Sequence, residues 1–357
     1  MHAKRLAELR KKLRAENLDG IIVTHLDYVR YLLGFTGTAG VFALTDRTAD
    51  FLTDSRYAIQ AAAEVKNARI TIVPSEVISA IGDLTQLHGK NKRYGYSGDY
   101  VTISVRNRLQ KALPEAIFIP ADSILSELGW VKDSVEIASI KAAVKISDRA
   151  FERILSMISP GIRENELSAE LEYQMAVLGS ERPAFESIVA SGHRSALPHG
   201  RASAKKIAKG DFITFDFGAT VNGYVSDITR TVVLGKATSR QKKIYDTVLR
   251  AHLAGIKKVK AGTPAKDVDA ACRDIITKAG YGKMFGHGTG HGIGFYIHTG
   301  PRVSSLSKDT LKANNVVTIE PGIYIEGWGG VRIEDDVLVT KSGGQPLNRA
   351  EKKLLEL

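Results

Sequence analysis

The sequence predicts two domains, an α/β unit followed by a larger α+β unit of long helices and acid-bearing hairpins. Three observations predict it. The chain has 357 residues, more than one hydrophobic core usually serves. Its first part alternates short apolar runs with helix-periodic segments. Its remainder opens on a long amphipathic stretch and then repeats one hairpin pattern twice.

Residues 1–17 carry Leu6, Leu9 and Leu13 at helical spacing, which predicts an amphipathic opening helix. "GIIVTH" and "GVFALT" read as short buried strands, and "TDSRYAIQAAAEV" as a strand end passing into a helix. "ARITIVP" is a further strand and "SVRNRLQKAL" a further helix, an alternation that indicates α/β. No catalytic motif stands in this part. In "ILSELGWVKDSVEIASIKAAVKISDRAFERILSMI" the first residues read as a linker. A long helix is expected from Ser134, with Asp133 or Ser134 as N-cap. The boundary falls near Gly129, giving domains 1–128 and 129–357.

Composition narrows the function classes. Hydrophobic residues at 43% and charged residues at 25% are ordinary for a water-soluble globular chain. No apolar run approaches the roughly 18–20 residues of a membrane span, and the charged, periodic N-terminus is neither a signal peptide nor an anchor. A single cysteine, Cys272, fits a reducing cytoplasm and reads as packing. The net charge of +11 is spread in short runs without nucleic-acid-binding signatures. Neither nucleic acid nor membrane is expected as a partner.

The second domain contains an internal echo. "KGDFITFDFG" (209–218) and "KANNVVTIEPG" (312–322) each place a threonine two residues before an acid: Thr214–Asp216 and Thr318–Glu320. Each is followed by a glycine with an acid four residues on, Gly223–Asp227 and Gly330–Glu334. Strand side chains alternate with period two, so each threonine shares a face with its acid. An unpaired carboxylate among such apolar neighbours costs several kcal/mol. A salt bridge would compensate any single acid, but few basic residues stand beside these four. Arg332, two residues before Glu334, is the exception and a candidate to orient a carboxylate.

"GHGTGHGIGFYIH" (286–298) holds three of the chain's nine histidines. Adding His291 to the acids gives one imidazole and four carboxylates: Asp216, Asp227, His291, Glu320 and Glu334. Oxygen-rich ligation with one nitrogen suits Mn²⁺ or Co²⁺ best, and Zn²⁺ is compatible. Four negative charges call for two divalent ions, a known device for activating water and clamping a tetrahedral intermediate. Other chemistries fail on spacing: no register of the glycine run yields G-x-G-x-x-G, and P-loop, H-E-x-x-H and G-x-S-x-G motifs do not occur.

The motifs "FDFGATVNGYVSDITRT", "GHGTGHGIGFYIH", "TIEPGIY" and "VRIEDD", in this order, resemble the pita-bread metallopeptidase family that includes prolidase, aminopeptidase P and methionine aminopeptidase. The resemblance covers the whole second domain, and the first domain is similar to the creatinase-type N-terminal domain of prolidase and aminopeptidase P. It implies a curved antiparallel sheet covered by helices and a likeness to enzymes that often dimerise, hence an expected homodimer. It implies that Asp216 chelates one ion, that Asp227 and Glu334 bridge two, and that His291 and Glu320 complete the set. Glu320 would also be the general acid/base. His199, in "ALPHG", and His298 match the family's two substrate-binding histidines, which would stabilise the tetrahedral intermediate. His287 matches a further histidine near substrate. Arg302 matches an arginine that approaches a dipeptide's carboxyl end. Thr229, Thr318 and Arg332 are expected to orient the ligands.

One departure stands out: Thr299 occupies a position where prolidase-like members commonly have glutamate, so local hydrogen bonding or charge balance must differ. The implied substrates are short peptides with proline second. Xaa-Pro dipeptidase is favoured over an aminopeptidase acting on longer peptides. Creatinase-like amidinohydrolysis and a non-catalytic binding module are the distant alternatives, and the intact ligand set counts against both.

Overall fold

The computed structural model describes every residue except Ser75. The chain divides into two compact units, Met1–Leu128 and Gly129–Leu357.

In the first unit α1 (His2–Ala15) buries Leu6, Leu9 and Leu13 along one face and ends before Asn17, which adopts a left-handed φ of 55°. The remaining elements are β1 (Gly20–Val23), α2 (Leu26–Leu33), β2 (Val41–Thr45), β3 (Ala49–Asp54), α3 (Ala58–Glu64), β4 (Arg69–Val73), β5 (Arg93–Tyr96), α4 (Ile103–Ala112), β6 (Ile117–Pro120) and α5 (Asp122–Leu128). The strands form one mixed sheet in the order β4-β3-β2-β1-β5-β6. Helix α2 had no sequence expectation, although Val29, Tyr31, Leu32 and Leu33 are buried and Gly34 ends it in the left-handed region. The expected linker needs correction: Asp122–Leu128 is helical, because Ile124 and Leu125 bury a short apolar face.

The second unit opens with α6 (Ser134–Ile154), capped by Asp133, whose carboxylate accepts from the amides of Val135 and Glu136 while Glu136 accepts from the Asp133 amide. There follow α7 (Glu164–Val177), β7 (Ile188–Ser191), β8 (Phe212–Phe217), β9 (Thr220–Val221), β10 (Tyr224–Val225) and β11 (Ile228–Val233). After α8 (Ser239–Lys258) and α9 (Ala265–Lys278) come β12 (Gly290–Gly292), β13 (Thr299–Val303), β14 (Val316–Ile319), β15 (Gly322–Ile325), β16 (Gly329–Arg332), β17 (Asp335–Val339) and β18 (Gly344–Pro346).

All pairings among these strands are antiparallel. The two echoed segments build matching structures. Strands β8 and β11 pair around the small hairpin β9–β10, and β14 and β17 pair around β15–β16. Apolar residues of α6 and α7, among them Phe151, Leu167 and Leu171, cluster with Val189, Ile213, Phe215 and Ile228. Ile244 and Val248 of α8 and Val268 and Cys272 of α9 cluster with Val317, Ile319, Val331 and Val337. Burial at about 25 cal/mol per Å² of apolar area holds each helix pair to its strands. Among the described residues no helix is long and apolar enough to cross a membrane.

Candidate metal centre

The two hairpins and β12 carry the five expected ligands. Asp216 lies on β8 opposite Thr229 of β11, and Asp227 stands one residue before β11. Glu320 follows β14 directly and Glu334 precedes β17 directly, where Thr318 pairs with Asp336. His291 is the central residue of β12. The glycines beside it have a packing reason. A Cβ on Gly290 would lie 2.0 Å from the Thr318 carbonyl oxygen and one on Gly292 would lie 2.1 Å from that of Gly300. Only glycine lets β12 run so close to both neighbours.

Ligand atoms of Asp227, His291 and Glu334 all lie within 4.8 Å of one another. His291 Nε2 is 3.6 Å from Asp227 Oδ2 and 3.5 Å from Glu320 Oε1. Its Nδ1 faces the Gly292 carbonyl at 3.1 Å, which assigns the ring proton to Nδ1 and a lone pair to Nε2. Burial lowers the His291 pKa to about 3, so the ring is neutral.

The carboxylates are crowded. Burial, then the charges of Glu334 and Asp216, pushes Asp227 well above the ordinary range. Glu334 is raised by burial and by the charges of Glu320 and Asp216. Glu320 is raised to about 8, chiefly by burial and then by Asp216, against Arg332 and Thr318. Among the described residues, the cation paired with these acids is Arg332, which binds Asp216. A neutral lone pair facing two carboxyl groups, amid more acids than basic groups, is relieved either by protons on the acids, which their raised pKa values favour, or by cations between them. The donor set of four carboxylates and one imidazole fits divalent cations.

Two of the three residues expected to orient ligands, Thr229 and Arg332, are bonded to each other, and Thr318 holds a separate pair of groups. The Thr229 hydroxyl donates to Glu334 Oε2 at 2.6 Å and accepts from Arg332 Nε at 3.0 Å. The Thr318 hydroxyl donates to Glu320 Oε1 at 3.2 Å and accepts from the His291 amide at 3.1 Å. Arg332, 3% exposed, also donates to the Pro198 carbonyl and to the Tyr324 hydroxyl.

His199 lies in an exposed turn and His298 is exposed immediately before β13. The His298 and His291 rings lie 4.4 Å apart. Desolvation, then the charges of His199 and Arg302, lowers the His298 pKa against the pull of Asp216, so these four groups share one field. Arg302 is exposed, and its amide donates to Asp309. Thr299 turns its hydroxyl to the Gly300 carbonyl, a neutral local bond in place of the family's usual carboxylate. His287 has both ring nitrogens engaged, Nδ1 by the Gly288 carbonyl and Nε2 by the Tyr324 hydroxyl. Direct substrate contact through this ring would require breaking one of these bonds.

Two further residues escaped the sequence reading. Tyr324 of β15 joins His287 to Arg332 through its hydroxyl, at 2.9 and 2.8 Å. Asp336 accepts from the Asp227 amide at 2.9 Å and so holds the backbone of a candidate ligand. Its signal was its parity with Glu334 in "VRIEDD"; for Tyr324 no local signal existed. Tyr324 reaches Asp216 only through Arg332, so Tyr324→Phe is expected to weaken metal binding by less than the roughly 10-fold lower bound for losing a partner that contacts a ligand directly. Titration of the metal-free variant with Mn²⁺ in a calorimeter checks this.

An acid-rich centre with one imidazole, on an antiparallel scaffold with paired helices, has the donor set of a site for divalent metal. Residues 138–341 match metallopeptidase family M24, and residues 5–128 match the creatinase/prolidase N-terminal domain. The chain belongs to metallopeptidase family M24, with the pita-bread catalytic fold and a creatinase-type N-terminal domain, and family membership implies divalent metal ions. It is 37% identical to the Xaa-Pro dipeptidase of Pyrococcus furiosus, over 99% of each chain. Its structure is similar to that of an Xaa-Pro dipeptidase from Bacillus anthracis, with a TM-score of 0.96 at 42% identity and full coverage of both chains. An X-Pro aminopeptidase from Thermotoga maritima is also similar, with a TM-score of 0.88 at 36% identity over 96% of this chain and 99% of that one.

Proposed function

We propose that this metallopeptidase hydrolyses the bond between an N-terminal residue and proline, with Xaa-Pro dipeptides as its preferred substrates. The observation that carries the reading is the set of Asp216, Asp227, His291, Glu320 and Glu334, brought together with too little counter-charge of its own. Similarity along the whole chain to proteins named Xaa-Pro dipeptidases supports the substrate class. In this reading the five residues hold two divalent ions, Mn²⁺ or Co²⁺ before Zn²⁺, and the protein acts as a cytoplasmic homodimer.

When bound, the ions supply Lewis acidity and lower the pKa of water. Glu320 takes a proton from the attacking water and delivers it to the proline nitrogen as the peptide bond breaks. Thr318 holds Glu320 in place for both transfers. His199 and His298 donate hydrogen bonds to the substrate's developing oxyanion. Arg302 binds the terminal carboxylate of a dipeptide as a two-pronged donor, which penalises longer chains.

Similarity to a protein named X-Pro aminopeptidase keeps the longer-peptide reading in view. Steady-state cleavage of Ala-Pro against Ala-Pro-Ala separates the two. The dipeptide is expected to show a kcat/KM about tenfold higher or more, the value of one charge-assisted contact. A preference for the tripeptide would transfer the assignment to the aminopeptidase.

A further inference from the structure

Glu164, the first residue of α7, is a fully buried carboxylate far along the chain from every candidate ligand. It is satisfied from two directions. Its Oε1 accepts from the Ser191 amide at 2.7 Å and the Ser191 hydroxyl at 2.8 Å. Its Oε2 accepts from the Ser203 amide at 3.1 Å, the Ser203 hydroxyl at 2.6 Å and Arg194 Nε at 3.0 Å. One side chain therefore grips both ends of the segment 191–203 and pairs with an arginine inside it. Such a carboxylate repays its desolvation only because every lone pair is used and a cation is at hand.

The segment it closes carries His199. Beyond the clamp, the segment is tied to the hairpin β15–β16 at two points: the Ser195 hydroxyl accepts from the Gly330 amide at 2.8 Å, and Arg332 donates to the Pro198 carbonyl. Gly330 must be glycine here, since a Cβ would come within 2.4 Å of the Ser195 carbonyl oxygen. His199 itself is exposed in a turn, so its own surroundings do little to fix it. Its placement comes from the closed base below and the strand contact beside it. Closing the loop in advance removes conformational entropy that substrate binding would otherwise have to overcome.

We infer that Glu164 is a positioning residue for His199: it acts on the reaction through the loop it closes and bonds none of the candidate metal ligands itself. The inference rests on the substrate role proposed for His199. Misplacing a group that contacts the transition state costs up to about 100-fold, and two residues acting through one contact give non-additive losses.

The test compares the parent with Glu164→Gln, His199→Ala and the double variant, all loaded with Mn²⁺ and assayed on Ala-Pro well below their melting temperatures. Glu164→Gln is expected to lower kcat/KM about 10- to 100-fold with Mn²⁺ content per chain unchanged, and the double variant to be no slower than His199→Ala alone. Multiplying losses in the double variant, or Mn²⁺ lost from Glu164→Gln, would overturn the inference. Full activity in His199→Ala would instead remove the proposed role of that histidine, a separate failure. Should Glu164→Gln not fold, Ser203→Ala removes a single donor from Oε2. It must then show a smaller loss that also vanishes in the His199→Ala background, and a loss that persists there counts against the clamp.

Discussion

Replacing Asp227 by asparagine, or Glu334 by glutamine, is expected to abolish metal-dependent cleavage of Xaa-Pro dipeptides, a fall in kcat/KM of about 1,000-fold or more. Either change removes a charged donor from the Asp227–His291–Glu334 group, whose ligand atoms lie within 4.8 Å of each other. Elemental analysis after Mn²⁺ loading should show fewer ions per chain than the parent binds. The same substitution should not weaken the metal-free fold. Asp227 is buried and repelled by Glu334 and Asp216, so its carboxyl is raised well above the ordinary value. A group raised in the folded state costs stability at neutral pH, and the cost vanishes as it takes up its proton. Metal-free Asp227→Asn should therefore melt no lower than the metal-free parent, and its advantage should shrink on acidification. Full activity with an unchanged metal content would remove Asp227 and Glu334 from the ligand set.

Asp335→Ala is expected to cost about 3–5 kcal/mol of stability, the usual penalty for stranding a buried charge. Asp335 is fully buried, accepts from Arg230 at 2.8 Å and His252 at 3.2 Å, and pairs with the Lys352 ammonium at 3.0 Å. Arg230 is itself buried, and holds the carbonyls of Thr229 and Glu334 at 2.9 and 2.6 Å. His252 bonds the Ile319 carbonyl at 2.9 Å. This cluster thus anchors the backbone beside both glutamates of the centre. The Arg230 charge first, then the hydrogen bond from His252 and the Lys352 charge, hold the Asp335 pKa well below the ordinary range, against its burial. Its contribution is present above the unfolded pKa of about 4 and is lost only as pH falls through the lower folded value. Urea unfolding followed by fluorescence suits the measurement, because both tryptophans, Trp130 and Trp328, lie in the second unit. Asp246→Ala, which removes an exposed pair with Arg250, should cost less than about 1 kcal/mol. Equal losses in the two variants would show that the buried cluster contributes no more than a surface pair.

How much of this could be read from the sequence differed by element. Helices α1 and α6 announced themselves through leucine spacing and an acidic cap, because those signals are local. Helix α2 and strands β5 and β6 are four to eight residues long, too short for periodicity to separate from noise. Helix α5, equally short, reads in the sequence as the start of a linker. In the site, period-two alternation put Thr214 with Asp216 and Thr318 with Glu320, and the repeated hairpin pattern raised the acids above chance. His291 stood among glycines whose purpose the sequence could only suggest.

What the sequence determined by itself is the chemistry available: four acids and an imidazole on hairpins of matching design, with an arginine two residues before the last acid. Alternation along a strand is a property of the backbone and needs no partner. Which strands meet, and in what register, depends on packing between residues far apart in the chain, and only the tertiary structure decided it. That is why Thr229 reaches Glu334, Tyr324 bridges His287 and Arg332, Asp336 holds the amide of Asp227, and Glu164 closes the loop of His199. Each of those bonds joins residues at least 8 apart, and most more than 25, distances over which no local preference acts.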